Sequence, residues 1–407
     1  MEIRDFEVIP VAHREPPLRN SWGIHSELEA RTIVRVVTAD GEAGIGETYG
    51  NNSVISHLNS ATTLVEGMNP LDQKALDFRL NRGGGRGGGS PHAYGAIETA
   101  LLDLVGKTIG EPVYNLLGGK VRDAVPFSAY LFYKDRDSDP DSAAIAPQEV
   151  MSPEAMVEEA REFVDQHGFE VLKLKAGVLE PSEEVRTLEL LAEEFGAETP
   201  LRIDPNGVWS VETATEVARE LRGIDGTIQF LEDPVPTMNA HARLKQRTDY
   251  PMATNMFVTD FSHIPQAIQS NAVDIVLSDH HMWGGLRSSM ELDRILRTFD
   301  RGVGMHSNSH LGVSMAAMAH LGAALPTLRY ACDTHYPWEN DDVIQDAPIE
   351  FENGDIQPPG EPGLGVELDE NELQRLNQRY NDHNIERDDT AKLLERDPDW
   401  MPNSPRW

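Results

Sequence analysis

The sequence predicts an α/β protein, a parallel (β/α) barrel of TIM type with a separate α+β domain, and three observations carry that prediction. Short apolar, β-branched runs recur, each ending in polar or ionisable residues: VLKLKAG at 171–177, LRIDPNG at 201–207, IQFLEDP at 228–234, PMATNM at 251–256, DIVLSDHH at 274–281 and GVGMHSNSH at 302–310. Such runs read as strands buried on both faces. Their polar tips, Lys175, Asp204, Glu232, Asn255, Asp279, His306 and then His335, follow one another at steps of 23 to 29 residues. A strand, a loop and a covering helix consume about that length. The region before the repeat has a different rhythm, an antiparallel meander followed by helices.

Taken in order, Glu2–His13 alternates apolar and polar residues as a half-buried strand does. Thr32–Thr38 and Ala43–Thr48 are two further strands joined at the Asp40-Gly41 turn. Helices are expected near Val54–Val65, Lys74–Leu80 and Ala93–Ile109. Pro16–Ala30 is too long for a tight hairpin and too polar for core, which suits a functional lid. The glycine-rich stretch Asn81–Ser90 lacks the strand–Gly–helix context of a phosphate loop and reads as mobile backbone, a linker or a second lid. The barrel begins near Val125, with Phe127–Tyr133 as its first strand and Pro153–His167 as an amphipathic helix with acidic residues in its first turn. Arg329–His335 is the eighth strand. The expected boundaries are 1–124 for the N-terminal α+β domain, 125–340 for the barrel and 341–407 for a strongly acidic C-terminal segment, with a weak helix near Glu370–Tyr380.

Composition narrows the function. Asp plus Glu number 68 against 35 Lys plus Arg, a formal net charge of −33. Phosphate binding needs a basic face, so nucleic acid is excluded as a partner. The acid excess is spread over the whole chain and reads as a solvated surface suited to a high-salt cytoplasm, rather than that of an ordinary acidic enzyme. Cys332 is the single cysteine, which fits a reducing compartment. No run approaches the ~20 apolar residues of a membrane span, so a cytoplasmic protein is expected.

In a parallel barrel, strand tips gather at the C-terminal rim, where such folds place their chemistry. Asp204, Glu232 and Asn255 end three consecutive strands. Any one of them alone reads as a strand-end cap. Three hard oxygen donors in register, carrying two charges, suit Mg²⁺. As rim residues, the carboxylates should be replaceable without unfolding the barrel. Lys173 and Lys175, two apart on one strand, point to the same side, here the barrel interior. VLKL is too apolar for a surface pair, and two interior ammonium groups need something anionic. A neighbouring ammonium and a divalent cation both lower a lysine's pKa from its usual ~10.4, which would fit Lys175 for base chemistry. Asp279 beside His306 fixes the imidazole tautomer and raises its basicity. The alternative is a structural His–Asp bond. Asn308 can donate to a developing oxyanion. A lysine and a histidine on opposite sides of a bound substrate, with a metal between them, can remove a proton next to a carboxylate.

These residues resemble the enolase superfamily, whose sites pair a Lys or His base with Mg²⁺. Within it the chain is similar to the glucarate dehydratase branch. The resemblance rests on LKLKAG, IDPNGVWS, LEDP, the Asp279/His306 pair and HSN at 306–308, with Asn255 in ATNM discriminating, because most relatives use an acidic third ligand. It extends to RNSWGIHS at 19–26, AIETALLDLVGK at 96–107, AYLFYK at 129–134, DTH at 333–335, GLGVELD at 363–369 and ERDDTA at 386–391.

The resemblance implies a modified TIM-type barrel, with the C-terminal segment returning to complete the capping domain. It implies Mg²⁺ on Asp204, Glu232 and Asn255, with Lys175 and His306 as bases and Asp279 orienting His306. Lys173, Asn206, Ser307 and Asn308 would hold the metal-bound carboxylate end of the substrate. His25, Tyr130, His335 and Arg387 would contact the rest of a sugar diacid, with Ser90 matching a family threonine. The reaction implied is dehydration of D-glucarate to 5-keto-4-deoxy-D-glucarate by a homo-oligomer. Galactarate, L-idarate or an aldonate such as xylonate are close alternatives, and a racemase or epimerase a further one. A non-catalytic sugar-acid binder is disfavoured, having no need of two bases.

Overall fold

The computed structural model describes the chain except residues 83–89, 137–146, 346–348, 384, 386 and 387. Its N-terminal unit is a three-stranded antiparallel sheet, β1 (Ile3–Arg14), β2 (Leu28–Thr38) and β3 (Ala43–Tyr49), in the order β1-β2-β3. Val8 faces Val34 and Val34 faces Gly46 in register. Two helices cover it. In α1 (Asn52–Val65) the Asn51 side chain accepts from Val54 N, and in α2 (Pro91–Ile109) Ser90 accepts from Ala93 N. Helix α2 lies directly on β3, and a Cβ at Gly44 or Gly46 would come within 2.1 Å of the Ala100 or Ala96 carbonyl oxygen. Glycine at both positions is what permits this approach. The helix expected over Lys74–Leu80 is a shorter Gln73–Asp77 running into a π-helical turn.

Seven parallel strands form the barrel: β4 (Ala129–Phe132), β5 (Leu172–Lys175), β6 (Pro200–Asp204), β7 (Thr227–Glu232), β8 (Met252–Thr254), β9 (Ile275–Ser278) and β10 (Gly302–Met305), ordered sequentially across the sheet. Their outer face is wrapped by α3 (Pro153–His167), α4 (Pro181–Phe195), α5 (Val211–Leu221), α6 (Met238–Lys245), α7 (Ile264–Ser270), α8 (Leu286–Thr298) and α9 (Gly312–Ala324). The eighth strand expected over Arg329–His335 is not a continuous strand. Leu328 bridges Val303 on one side and Cys332 bridges Phe127 on the other. Asp333 N donates to Met305 O, and Cys332 N to Pro126 O. The segment closes the barrel by alternating between its two neighbours, so neither ladder runs on.

Side-chain parity divides the barrel into two environments. Leu172, Leu174, Leu201, Ile203 and Leu231 share one core with the helix residues Phe163, Leu188 and Val217. The alternate residues Lys173, Lys175, Arg202, Asp204 and Glu232 are also buried, and by parity they point into the barrel. Helix α9 is apolar all round and buried along its length. At the C-terminus, α10 (Glu370–Asp382) lies on β1, with Asn377 donating to Pro10 O. Helix α11 (Asp389–Arg396) packs against Gly23–Ile24. Among the described residues no helix is long and apolar enough to cross a membrane.

Candidate active site

Strand register assembles the floor of the site. Lys175 pairs with Asp204, Leu231 with Ile203, and Glu232 with Ala253, so the β5, β6, β7 and β8 tips stand side by side. Lys175 Nζ donates to Asp204 Oδ2 (2.7 Å) and to the Tyr130 hydroxyl (3.0 Å), which itself donates to the same Asp204 oxygen (2.9 Å). Lys173 Nζ lies 2.6 Å from Glu232, 2.6 Å from Asp333 and 3.6 Å from Asp204. Asn206 N and Nδ2 both donate to Asp204 Oδ1. Asn206, Asp233 and Ser309 adopt φ of 50°, 40° and 49°. Left-handed backbone is uncommon outside glycine and is held only where the surroundings over-determine it.

The electrostatics are those of carboxylates taken out of water. Burial works to raise the Asp204 pKa, but the Lys175 and Lys173 ammonium groups prevail and hold it at about 2. For Glu232, burial and then the Asp204 charge push the carboxyl well above its usual range. Lys173 is desolvated, yet Asp333, Glu232 and Asp204 together raise its pKa, so it stays charged. The carboxylates around Lys173 thus favour its charged ammonium. Asp204 and Glu232 are fully buried ion-pair partners, which corrects the expectation that they are exposed rim residues.

The donor set fits a hard divalent cation. Glu232 Oε1 and Asn255 Oδ1 are buried without a hydrogen-bond partner, at adjacent strand ends. Asp204, Glu232 and Asn255 would therefore hold Mg²⁺, all through oxygen.

On the opposite side, His306 Nδ1 lies 3.2 Å from Asp279 Oδ2. Asp279 also accepts from the Tyr49 hydroxyl (2.8 Å) and from His281 N (2.8 Å). Burial opposes its ionisation, but the His306 bond and the nearby His281 and His310 rings hold its pKa well below the carboxylate range. The two sides face a cavity of about 330 Å³. It is lined by Lys175, Asn206 and Asn255, by His306 and Asn308, and by His25, Tyr130 and His335, with Trp22, Met256 and Met282 among the others. Lys173, Asp204, Glu232, Asp279 and Ser307 are buried and absent from the lining.

The expected lid over Pro16–Ala30 contributes Asn20, Trp22 and His25 to the lining. Asn20 donates to Asp389 in α11, and Thr390 to Trp22 O. Ser90 is not in the lining; its hydroxyl is taken by the α2 cap. The glycine-rich stretch before it falls mostly on 83–89, and Arg387 on its own position, both outside the described residues.

Two residues that sequence reasoning missed organise the site. Glu15 is buried between His25 (2.8 Å) and His335 (3.4 Å) and also accepts from Ser309. Burial works to raise the Glu15 carboxyl, but its interactions with His25 and His335 together hold it well below the usual range, while burial lowers His335 to about 4. Asp333 is the carboxylate under Lys173. Its place two residues before His335 puts both on one side of an extended segment, which is the signal that could have found it. For Glu15 the chain carries no such local signal.

Known proteins share this sequence pattern and fold. Residues 155–372 match the family described as enolase C-terminal domain-like, and 5–118 the mandelate racemase / muconate lactonizing enzyme N-terminal domain. A probable glucarate dehydratase from Streptomyces coelicolor is 42% identical, covering 100% of this chain and 99% of its own. An enolase from Gibberella zeae, solved with magnesium, formate and sulfate, superposes with a TM-score of 0.93 at 39% identity, covering 100% of this chain and 97% of its own. One from Pseudomonas fluorescens, solved with magnesium, potassium and tartrate, gives 0.92 at 39% identity over 100% and 99%. With both domains matched and a full-length relative above 40% identity, the chain belongs to the enolase superfamily.

Proposed function

We propose that this protein is an acid-sugar hydro-lyase, with D-glucarate as substrate and 5-keto-4-deoxy-D-glucarate as product. The observation that carries the reading is one cavity faced by both Lys175 and His306, with Asn255 in its wall and the buried Asp204 and Glu232 beneath. Mg²⁺, when bound, stabilises the charge that spreads onto a carboxylate as the adjacent carbon loses its proton. The residues of the chain do the rest. Lys175 and His306 each reach one face of that carbon, so each removes the proton of one epimer. His306, oriented by Asp279, returns a proton to the neighbouring hydroxyl, which departs as water. The resulting enol becomes the ketone. Asn206 and Asn308 offer amide donors to the substrate, and His25 and His335 bound its far end. The relative named glucarate dehydratase and the tartrate-bound structure support a hydroxy-diacid substrate.

A second reading has its own observation. Among the described lining residues, Lys175 is the only lysine or arginine, and burial keeps His335 neutral at ordinary pH. Within the described lining a distal carboxylate thus meets no lysine or arginine other than Lys175, which favours an aldonate with a neutral far end. Turnover of D-glucarate, galactarate, gluconate and xylonate, with Mg²⁺ and after chelation, separates the readings. Glucarate is expected to give the highest kcat/KM, and Arg387→Gln to raise KM for diacids only. Preferred turnover of an aldonate would select the second reading, and full activity in metal-stripped protein would end both. Titration calorimetry of Mg²⁺, weakened in Asn255→Leu, tests the metal site without turnover.

A further inference from the structure

The dyad that handles the proton is not completed by the barrel alone. We propose that Tyr49, from the capping domain, is a positioning residue for His306, its hydroxyl fixing the Asp279 oxygen that holds the imidazole. This rests on the reading of His306 as a base. Tyr49 ends β3 and donates to Asp279 Oδ2 at 2.8 Å, the same oxygen that lies 3.2 Å from His306 Nδ1. Three groups hold the phenol ring in place. The Arg31 guanidinium stacks over it at 4.7 Å, and the rings of His92 and His281 meet it edge-on at 5.1 and 5.5 Å. Arg31 is in turn fixed by Glu47 (2.8 Å) and His281 (3.0 Å). Glu47, two residues before Tyr49 and so on the same face of β3, accepts from Leu311 N and Ser314 N beyond the His306 loop. One face of a cap strand thus grips the barrel and touches the dyad.

The chemical consequence has a definite sign. A hydrogen bond to the carboxylate draws off part of the negative charge that His306 senses. Without the Tyr49 hydroxyl, Asp279 stabilises the imidazolium more strongly, and His306 becomes easier to protonate. The other groups around the pair are His280, His281, His310, His92 and Arg31 near Asp279, and His335 near His306. None changes in Tyr49→Phe, which retains the ring and its packing.

The experiment is an NMR titration of ¹⁵N-histidine-labelled full-length protein without substrate, the His306 signal assigned by its loss in His306→Asn. Tyr49→Phe is expected to move that titration upward by about half a unit to one unit. The acid limb of kcat/KM for the active sugar acid should move with it, kcat falling severalfold and KM little changed. Asp279→Asn, as the control, should move His306 downward. If Asp279→Asn shifts His306 but Tyr49→Phe leaves it in place, Tyr49 only packs and the proposal is overturned. If neither variant moves His306, the dyad reading fails and the role of Tyr49 falls with it.

Discussion

Lys175 and His306 face the same cavity, but their support differs. Lys175 is tied to a carboxylate and a phenol from adjacent strands, His306 to a carboxylate that also accepts from the Tyr49 hydroxyl and His281 N. Dehydration needs a proton removed and another delivered, and His306 can do both only if it cycles between protonation states. His306→Asn is therefore expected to block dehydration of glucarate, losing at least ~10²–10⁴-fold. Lys175 should still exchange the α-proton of the epimer whose hydrogen faces it. Proton NMR in D₂O reads both events, and near-wild-type dehydration by the variant would leave the His306–Asp279 pair a structural role only. A second expectation follows from burial. Asp204→Ala strands the ammonium of Lys175 and weakens the support of Lys173. Breaking a buried pair costs about 3–5 kcal/mol, so the melting temperature should fall clearly, and less in Asp204→Asn, which keeps a hydrogen-bonding side chain. Equal melting of both variants with wild type would mean that the pair is solvated in solution.

Elements carry a different kind of information. His320, on α9, accepts from Tyr114 N through Nδ1 (3.3 Å) and donates through Nε2 to Leu364 O (3.0 Å). The helix is thereby joined to the Val113–Leu116 turn and to the C-terminal segment, and both bonds require the neutral ring. Burial lowers its pKa from 6.5 to about 4. A histidine depressed in the folded state adds stability above its unfolded pKa and withdraws it as pH falls toward the folded value. Between pH 7 and pH 5 that amounts to about 2 kcal/mol. His320→Gln can keep both bonds without titrating, so its melting temperature should fall less over this interval than that of wild type. Parallel curves would remove His320 from the acid response. Gly23 gives a second test. Its φ is 153°, and a Cβ there would sit 1.8 Å from Asp389 O. Gly23→Ala must part the 16–30 loop from α11, and is expected to raise KM several-fold with little change in Tm, whereas an unchanged KM would show that this docking does not shape the site. Much of the element order was legible in the chain: Pro153–His167 is a helix with those bounds, and the polar strand tips converge because period and spacing are local properties. Glu15 and Tyr49 were not legible, because each acquires its role from partners far away in sequence, and Asp333 was legible only through its place two residues before His335. Ser90, a Ser before a Pro-initiated helix, caps α2 by purely local rules and stands outside the described cavity lining. The eighth strand failed for a third reason, since shared pairing with two neighbours leaves no mark on the apolar pattern.

At the scale of the whole molecule, charge decides. With 68 acidic and 35 basic side chains, even complete pairing leaves 33 carboxylates without a cation. The ion pairs are of two classes that respond differently to salt. Exposed pairs such as Arg222–Asp249 and Arg243–Glu212 contribute little each and are weakened by screening. Buried pairs, among them Lys134–Glu159, Lys173–Glu232 and Arg31–Glu47, are shielded from mobile ions and should be nearly indifferent. Opposing the loss of the exposed pairs is relief of repulsion among the surplus carboxylates. At molar salt the Debye length is about 3 Å, shorter than typical spacings between surface charges. Since the surplus carboxylates rival the possible pairs in number and each pair is weak, relief of repulsion should win. Melting temperature is therefore expected to rise from low salt to molar KCl. The halophile reading of the composition stands on that slope, and a Tm that is flat or falls with KCl would mean that the acidic surface repels too weakly to matter, leaving an ordinary acidic enzyme.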